Sequence, residues 1–405
     1  ATSTSGTTRL PSANIRRQRY VVRVFASRRL ITRTAVARAA VLLFSCGWLG
    51  ANAEPVEFSL LPAIESERSV NSLMLEAARH GDRIVAVGEQ GRALWSDDDG
   101  QSWNQAEVPV SLALTSVTFS DDGSAWATAH DGHLLQSVDK GETWTVKLSG
   151  SDVASLSVGA IEKQVAALEA ELETAGDDTF EDVQWALDEA TFALEEALLA
   201  VDEGMTTPLL KVWFDGDLGY ALGAYNLFLQ TSDGGATWQA HGDRLDNPDK
   251  YHLYAIARST SGTLVVAGEA GTMLRSLDGG ASWERVAPPF PGSFFGAVAT
   301  ADGSLLIFGL RGNVFRSTDE GASWAAIATA DNRTLMCGAA TDDGTVVLAG
   351  AAGALLHSND NGASFNAVPT EGNRVYSGVL PMPDGSILLV GFGGISTLTA
   401  ERGDD

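Results

Sequence analysis

Thiols are nearly missing from this chain. Its 405 residues include two cysteines, Cys46 and Cys337. Cys337 sits in the apolar run "TLMCGAA" and reads as a core thiol rather than a nucleophile. Basic residues are also scarce. There are 27 lysines and arginines against 52 acids, a formal charge of −25. That balance argues against nucleic acid and anionic membrane surfaces as partners. There is no phosphate loop, Cys/His site or serine elbow, so no cofactor and no metal is expected. "HDGH" (His130–His133) pairs two histidines with no third ligand in view.

What bases there are crowd into the start. Residues 1–53 hold nine arginines and no acid, followed by an apolar run, Ala40–Gly50, and "ANA" at Ala51–Ala53. A basic region, a short apolar region and a small-x-small site read as an export signal cut after Ala53. The run is short for a bilayer span, although an uncleaved anchor is the alternative. Taking nine arginines from 27 bases leaves 18 against 52 acids, so the mature chain would carry −34. With Cys46 gone, no intrachain disulfide could form. The expected location is the periplasm, with the thylakoid lumen or the extracellular space as alternatives.

One eight-residue pattern recurs six times: "SDDDGQSW" from Ser96, "SVDKGETW" from Ser137, "TSDGGATW" from Thr231, "SLDGGASW" from Ser276, "STDEGASW" from Ser317 and "SNDNGASF" from Ser358. The central aspartates, Asp98, Asp139, Asp233, Asp278, Asp319 and Asp360, are separated by 41, 94, 45, 41 and 41 residues. A period of this size marks a repeat architecture. Short apolar runs bounded by Gly/Asp turns flank each box and give four strands per unit, as in a β-propeller blade. A seventh triplet, "RVYSGVL", "SILLV" and "ISTLT", follows the last box and lacks a fourth strand. The orphan segment Pro55–Ala63 is assigned as that strand, closing the ring and removing an open edge; a capping triplet is the alternative. The predicted fold is an all-β, seven-bladed propeller closed by its N-terminal strand. Each box is a corner whose aspartate accepts backbone N–H bonds and whose glycine takes a positive φ. The box aromatics Trp103, Trp144, Trp238, Trp283, Trp324 and Phe365 pack between blades. Folding alone accounts for all of them.

The 94-residue step contains one extra segment, about 151–206, with 15 acids and one base, Lys163. Ile161, Val165, Leu168 and Leu172 form one helical seam. A second seam comprises Phe180, Val183, Leu187, Ala190, Leu194, Leu198 and Val201. Thr179 is placed to cap the second helix and Gly204 to end it. An antiparallel α-helical hairpin is expected, dividing the propeller into 54–150 and 207–405. Trp185, Phe192 and Leu199 form a further stripe every seven residues, which must cover either the propeller or a partner. Strand alternation puts the hairpin on the face opposite the boxes, together with Tyr225, Asn226, Asp246, Arg311 and the loop aromatics Phe290, Phe294 and Phe295. These are the candidate binding residues; the phenylalanines could instead plug the channel mouth. Trp185 is the leading hot-spot candidate.

The boxes are those of the bacterial neuraminidase repeat. Together with "HDGHLLQS", "VWFDGDLGYALGAYNLFLQTSDGGATW", "DNPDKYHLYAIA", "PGSFFGAV" and "FGLRGNVFRS", the sequence resembles the photosystem II stability/assembly factor family of propellers. The likeness runs over Glu54–Thr399 and is greatest to members from non-photosynthetic proteobacteria. It implies an exported, non-enzymatic scaffold that assists a membrane complex, in such bacteria a companion of a transporter. A protein partner and a monomeric chain are expected. Arginines are too scattered for an arginine-rich docking patch to be carried over. The alternative is a sialidase-like or glycan-binding Asp-box propeller. A sialidase needs an arginine cluster, and only Arg258, Arg311 and Arg333 could approach a central site.

Overall fold

The computed structural model describes residues 61–329 and 331–399. The leader, its cleavage site and residues 55–60 lie outside the described residues. Seven antiparallel sheets are present, six of four strands and a last of three. Their innermost strands are Met74–His80, Leu114–Phe119, Leu209–Asp215, Leu253–Arg258, Phe294–Ala299, Leu335–Ala340 and Tyr376–Pro381. Each neighbours the next, and the last neighbours the first, so the sheets form a closed seven-bladed ring. The second strand of each blade is buried almost throughout, as Ile387–Gly391 and Leu264–Gly268 illustrate. These runs form the apolar layers between blades.

The ring closes by packing. Met74, Ala77, Ile84 and Leu94 of blade one share a buried cluster with Met382, Leu388 and Val390 of blade seven. Ser377 Oγ donates to the Met74 carbonyl at 2.7 Å across the junction. Only three residues of the expected closing strand are described, and they lie against blade one. Ala63 N donates to Val108 O at 2.9 Å, and Ser111 Oγ donates to Leu61 O at 2.9 Å. Among the described residues, Gly394–Leu398 pairs with Ile387–Gly391 alone.

Every box is a hydrogen-bonded corner. In the first, Asp98 Oδ1 accepts from Ser96 Oγ at 2.8 Å and from Ser102 N at 2.9 Å, and Oδ2 accepts from Ser102 Oγ at 2.6 Å. Ser96 Oγ in turn accepts from Gly100 N at 2.9 Å. The same set recurs around Asp139, Asp233, Asp278, Asp319 and Asp360. Trp103, Trp144 and Trp324 add an Nε1–H bond to the box glycine carbonyl, whereas Trp238 and Trp283 do not.

These bonds favour the ionised carboxylate. The side-chain bonds from Ser102, Thr237, Ser282 and Ser323 hold Asp98, Asp233, Asp278 and Asp319 down to about 2. Ser358 and Ser364 do the same for Asp360. For Asp139 burial pushes upward, but the bonds from Thr143 and Ser137 outweigh it. A depressed folded pKa stabilises above the unfolded value and is lost as pH falls through the folded one. The boxes should therefore hold down to about pH 4 and fail between about pH 4 and pH 2. An acid titration of near-ultraviolet dichroism, which reports the box tryptophans, tests this; loss of the signal above pH 5 would contradict it.

Two helices interrupt the ring between blades two and three: α1 (Gly150–Thr174) and α2 (Phe180–Glu203). α1 begins eleven residues before Ile161, the first residue of the predicted seam. Its start is a capping box. Ser149 Oγ accepts from Asp152 N at 3.2 Å, and the Asp152 carboxylate accepts from Ser149 N at 2.8 Å. Thr179 does not cap α2. Its backbone is already helical, and the Gly176 carbonyl accepts from Thr179 N at 3.1 Å and Phe180 N at 2.9 Å. Gly204 ends α2 at φ +96°. Val183, Leu187, Ala190, Leu194 and Val201 turn inward, while Phe180 and Leu198 of that seam are exposed.

Candidate protein-binding face

One face of the ring is built the same way seven times. In each blade the turn after the second strand donates a backbone N–H, at 2.9–3.1 Å, to the carbonyl just before the innermost strand. The turn apex is left-handed in six blades. Gln90, Asp131, Tyr225, Ala270, Arg311 and Ala352 have φ of 51–60°. Holding a tyrosine or an arginine there costs conformational energy. Tyr225 is exposed and its ring meets His252 edge-on at 4.8 Å. Arg311 is exposed as well.

Just inside these turns the innermost strands share a bulge. In every blade the second residue is skipped by the pairing: Leu75, Thr115, Leu210, Tyr254, Phe295, Met336 and Ser377. Bulges re-aim a side chain, and here they create a collar around the inner edge of the ring. Thr115 and Ser377 spend their hydroxyls on the next blade's first carbonyl, at 2.6 and 2.7 Å. The other five are apolar or aromatic. Tyr254 and Phe295 are in ring contact at 5.3 Å, and the Tyr254 hydroxyl lies 3.4 Å from His252 Nδ1. Tyr225, His252, Tyr254 and Phe295 thus form an aromatic track across blades three to five. Beyond the collar, Lys211 of blade three pairs with Glu76 of blade one across blade two, where Ser116 also donates to Glu76. Burial raises the Cys337 thiol far above its usual range, and its Sγ donates to the Ala349 carbonyl.

The hairpin stands on this face. Gly150 lies against the Asp131 carbonyl and Met205 against Gly132, both in the blade-two turn. Val153 is buried in the cluster between blades two and three with Trp126, Leu209 and Trp238, and Ala154 beside it is buried as well. α1 also lies beside the outer strand Gln239–Ala240, and α2 packs on α1. The seven-residue stripe of α2 is bare. Trp185, Phe192 and Leu199 are 69, 60 and 57 % exposed. The stripe does not cover the propeller.

Other predicted residues fall into different roles. Phe294 is 0 % exposed among Ala267, Met273, Ile307 and Phe315, so it is core and leaves the candidate patch. Phe290 leans on it at 6.4 Å and is half-buried. Asn226 is tied up: its Nδ2 donates to Gly242 O and its Oδ1 accepts from Asn247 Nδ2, both at 2.9 Å. Asp246 is exposed, and its carbonyl accepts from Arg285. Leu75, Leu210, Tyr254 and Met336 were missed from sequence. Their signal is a pair of consecutive apolar residues opening an otherwise alternating strand.

The arginines a sialidase would need do not converge. Arg258 is paired with Asp215 and Arg333 with Asp331, while Arg311 stands at its turn apex. Among the described residues no three His, Cys, Asp or Glu side chains cluster as metal ligands. His133 is buried with Nδ1 on the Asp131 carbonyl at 2.9 Å. No described helix is long and apolar enough to cross a membrane.

Residues 197–335 match the family described as "Photosynthesis system II assembly factor YCF48". Over that stretch, about a third of its length, the chain is similar to the photosystem II assembly factor family. Solved structures agree on the fold. "YCF48 bound to D1 peptide" superposes with a TM-score of 0.56 at 17 % identity, covering 84 % of this chain and 100 % of the other. "YCF48 from Cyanidioschyzon merolae" gives 0.55 at 14 % identity, with 81 % and 95 % covered. "AFV00434, an ancestral GH74 enzyme" gives 0.54 at 10 % identity, with 83 % and 46 % covered. No curated protein matches the sequence. The last likeness shows that the ring also serves enzymes, so function has to be argued from the site.

Proposed function

We propose that this chain is an exported, non-enzymatic scaffold that docks a protein partner on its hairpin-bearing face and helps a membrane complex assemble, in its own setting as a transporter companion. The observation that carries the reading is the exposure of Trp185, Phe192, Leu199 and Tyr225 on one face of a ring whose boxes are spent on their own turns. Aromatic and aliphatic anchors with a polar rim are the composition of a protein interface. The family match over 197–335 supports the assembly role. The D1 peptide named in the solved YCF48 complex supports a polypeptide as ligand. The leader supports export, and the acidic surface supports a soluble monomer.

Affinity capture from the native envelope tests the proposal. The intact chain should enrich a membrane protein, and a variant with Trp185→Ala and Tyr225→Ala should lose most of it while the melting temperature stays unchanged. Turnover of aryl glycosides or sialosides, abolished by one Asp or Glu change, would overturn the scaffold reading.

A further inference from the structure

The exposed stripe of α2 has a charge frame with no exception in it. Neighbours on a helix surface lie three and four residues away in either direction. For Trp185 these are Glu181, Asp182, Asp188 and Glu189; for Phe192 they are Asp188, Glu189, Glu195 and Glu196; for Leu199 they are Glu195, Glu196, Asp202 and Glu203. All eight acids of α2 thus occupy the two rows bordering the stripe. All are exposed, α2 holds no base, and none of the eight is in an ion pair among the described residues. The hairpin's one base, Lys163, is on α1 at the cleft shared with His241 and Arg244 of blade three, not beside the stripe.

We infer that the outer face of α2 docks a cationic amphipathic helix of a partner protein, with that helix's apolar seam on Trp185, Phe192 and Leu199 and its lysines or arginines on the flanking carboxylates. This rests on the protein-docking reading above and adds the chemistry of the partner. A seven-residue repeat keeps a straight seam for a second helix at a shallow crossing angle. The stripe runs about 21 Å from Trp185 to Leu199, at 1.5 Å per residue, enough for four turns of partner helix. Covering the stripe with a second α2 would set one acidic frame against another. An anionic bilayer meets the same repulsion. A basic helix relieves the crowding among the eight carboxylates while it buries the apolar side chains.

The test uses the full exported chain and synthetic 18-residue peptides. One has leucines on a helical seam flanked by lysines, one replaces the lysines with glutamates, and one scrambles the lysine peptide so that the seam is lost. Binding is read by calorimetry and Trp fluorescence at two salt concentrations. The lysine peptide should bind, more weakly at high salt, and the glutamate and scrambled peptides should not. Trp185→Ala should weaken binding roughly tenfold or more. Glu189→Lys with Glu196→Lys should weaken it at least as much, with the melting temperature unchanged for both variants. Equal binding of the scrambled peptide, or indifference to Trp185→Ala, would overturn the inference. So would a Trp185-dependent dimer by sedimentation, or Trp185-dependent binding to phosphatidylglycerol vesicles. If envelope capture survives Trp185→Ala but fails with Tyr225→Ala, the partner docks on the ring, and this inference falls while the scaffold reading stands.

Discussion

Trp126→Ala should cost about 3–5 kcal/mol in chemical denaturation, the range for truncating a large buried aromatic. Trp126 is fully buried in the second strand of blade two, where the apolar layer passes to blade three. Its indole stacks on Phe214 at 5.0 Å and meets Trp238 edge-on at 6.0 Å. The box glycine Gly235 sits directly on the ring; a Cβ there would come within 2.4 Å of it. Alanine would therefore leave a cavity under a box corner, bounded by strands that their own ladders hold in place. The indole Nε1 has no hydrogen-bond partner among the described residues. Phenylalanine removes that unsatisfied group and keeps part of the packing, so Trp126→Phe should cost clearly less. A loss below about 1 kcal/mol for the alanine variant would mean that the blades do not depend on this contact.

Gly280→Ala should be comparably severe, for a different reason. Gly280 is the box glycine of blade four at φ +91°, and a Cβ there would lie 1.7 Å from the Tyr220 hydroxyl oxygen. Tyr220 cannot yield. It is fully buried, tilted against Phe228 at 5.2 Å and edge-on to Trp283 at 6.0 Å. Backbone strain and overpacking together should cost about 3 kcal/mol or more. The clash is with one atom, which makes the prediction specific. Tyr220→Phe removes that oxygen and loses only a 3.4 Å contact with the Gly279 carbonyl. Alone it should be mild; combined with Gly280→Ala it should recover about 1–2 kcal/mol as a coupling energy. Strict additivity of the two changes would refute the close approach.

The parts of this molecule that could be read from sequence are those set by local chemistry. A Ser/Thr-x-Asp-x-Gly-x-Ser/Thr corner makes its bonds within seven residues, so its spelling reveals its geometry. Counting the runs between corners then gives seven blades. The hairpin is equally local, although Ser149 and Asp152 spell a capping box that was overlooked. What sequence could not supply depends on register. One skipped residue at the start of each innermost strand reverses which neighbour faces inward. Of two adjacent phenylalanines, Phe294 is therefore core and Phe295 joins the collar. Nor could spacing decide what the Trp185 stripe covers, because a seven-residue repeat looks the same against a propeller and against a partner. Closure by the Pro55–Ala63 strand falls mostly outside the described residues; within them, side chains from Met74, Met382 and Leu388 pack blade one on blade seven.

The central claim is that function resides on the hairpin-bearing face. The opposite face offers a matched control, since the box residues Val138 and Leu277 are also apolar and exposed. A photo-crosslinking amino acid placed singly at positions 185, 225, 138 and 277, and irradiated in the native envelope, tests the claim most directly. Positions 185 and 225 should crosslink to one and the same protein, and positions 138 and 277 to none. Crosslinks from 138 and 277 with none from 185 or 225 would put the partner on the box face and contradict the account.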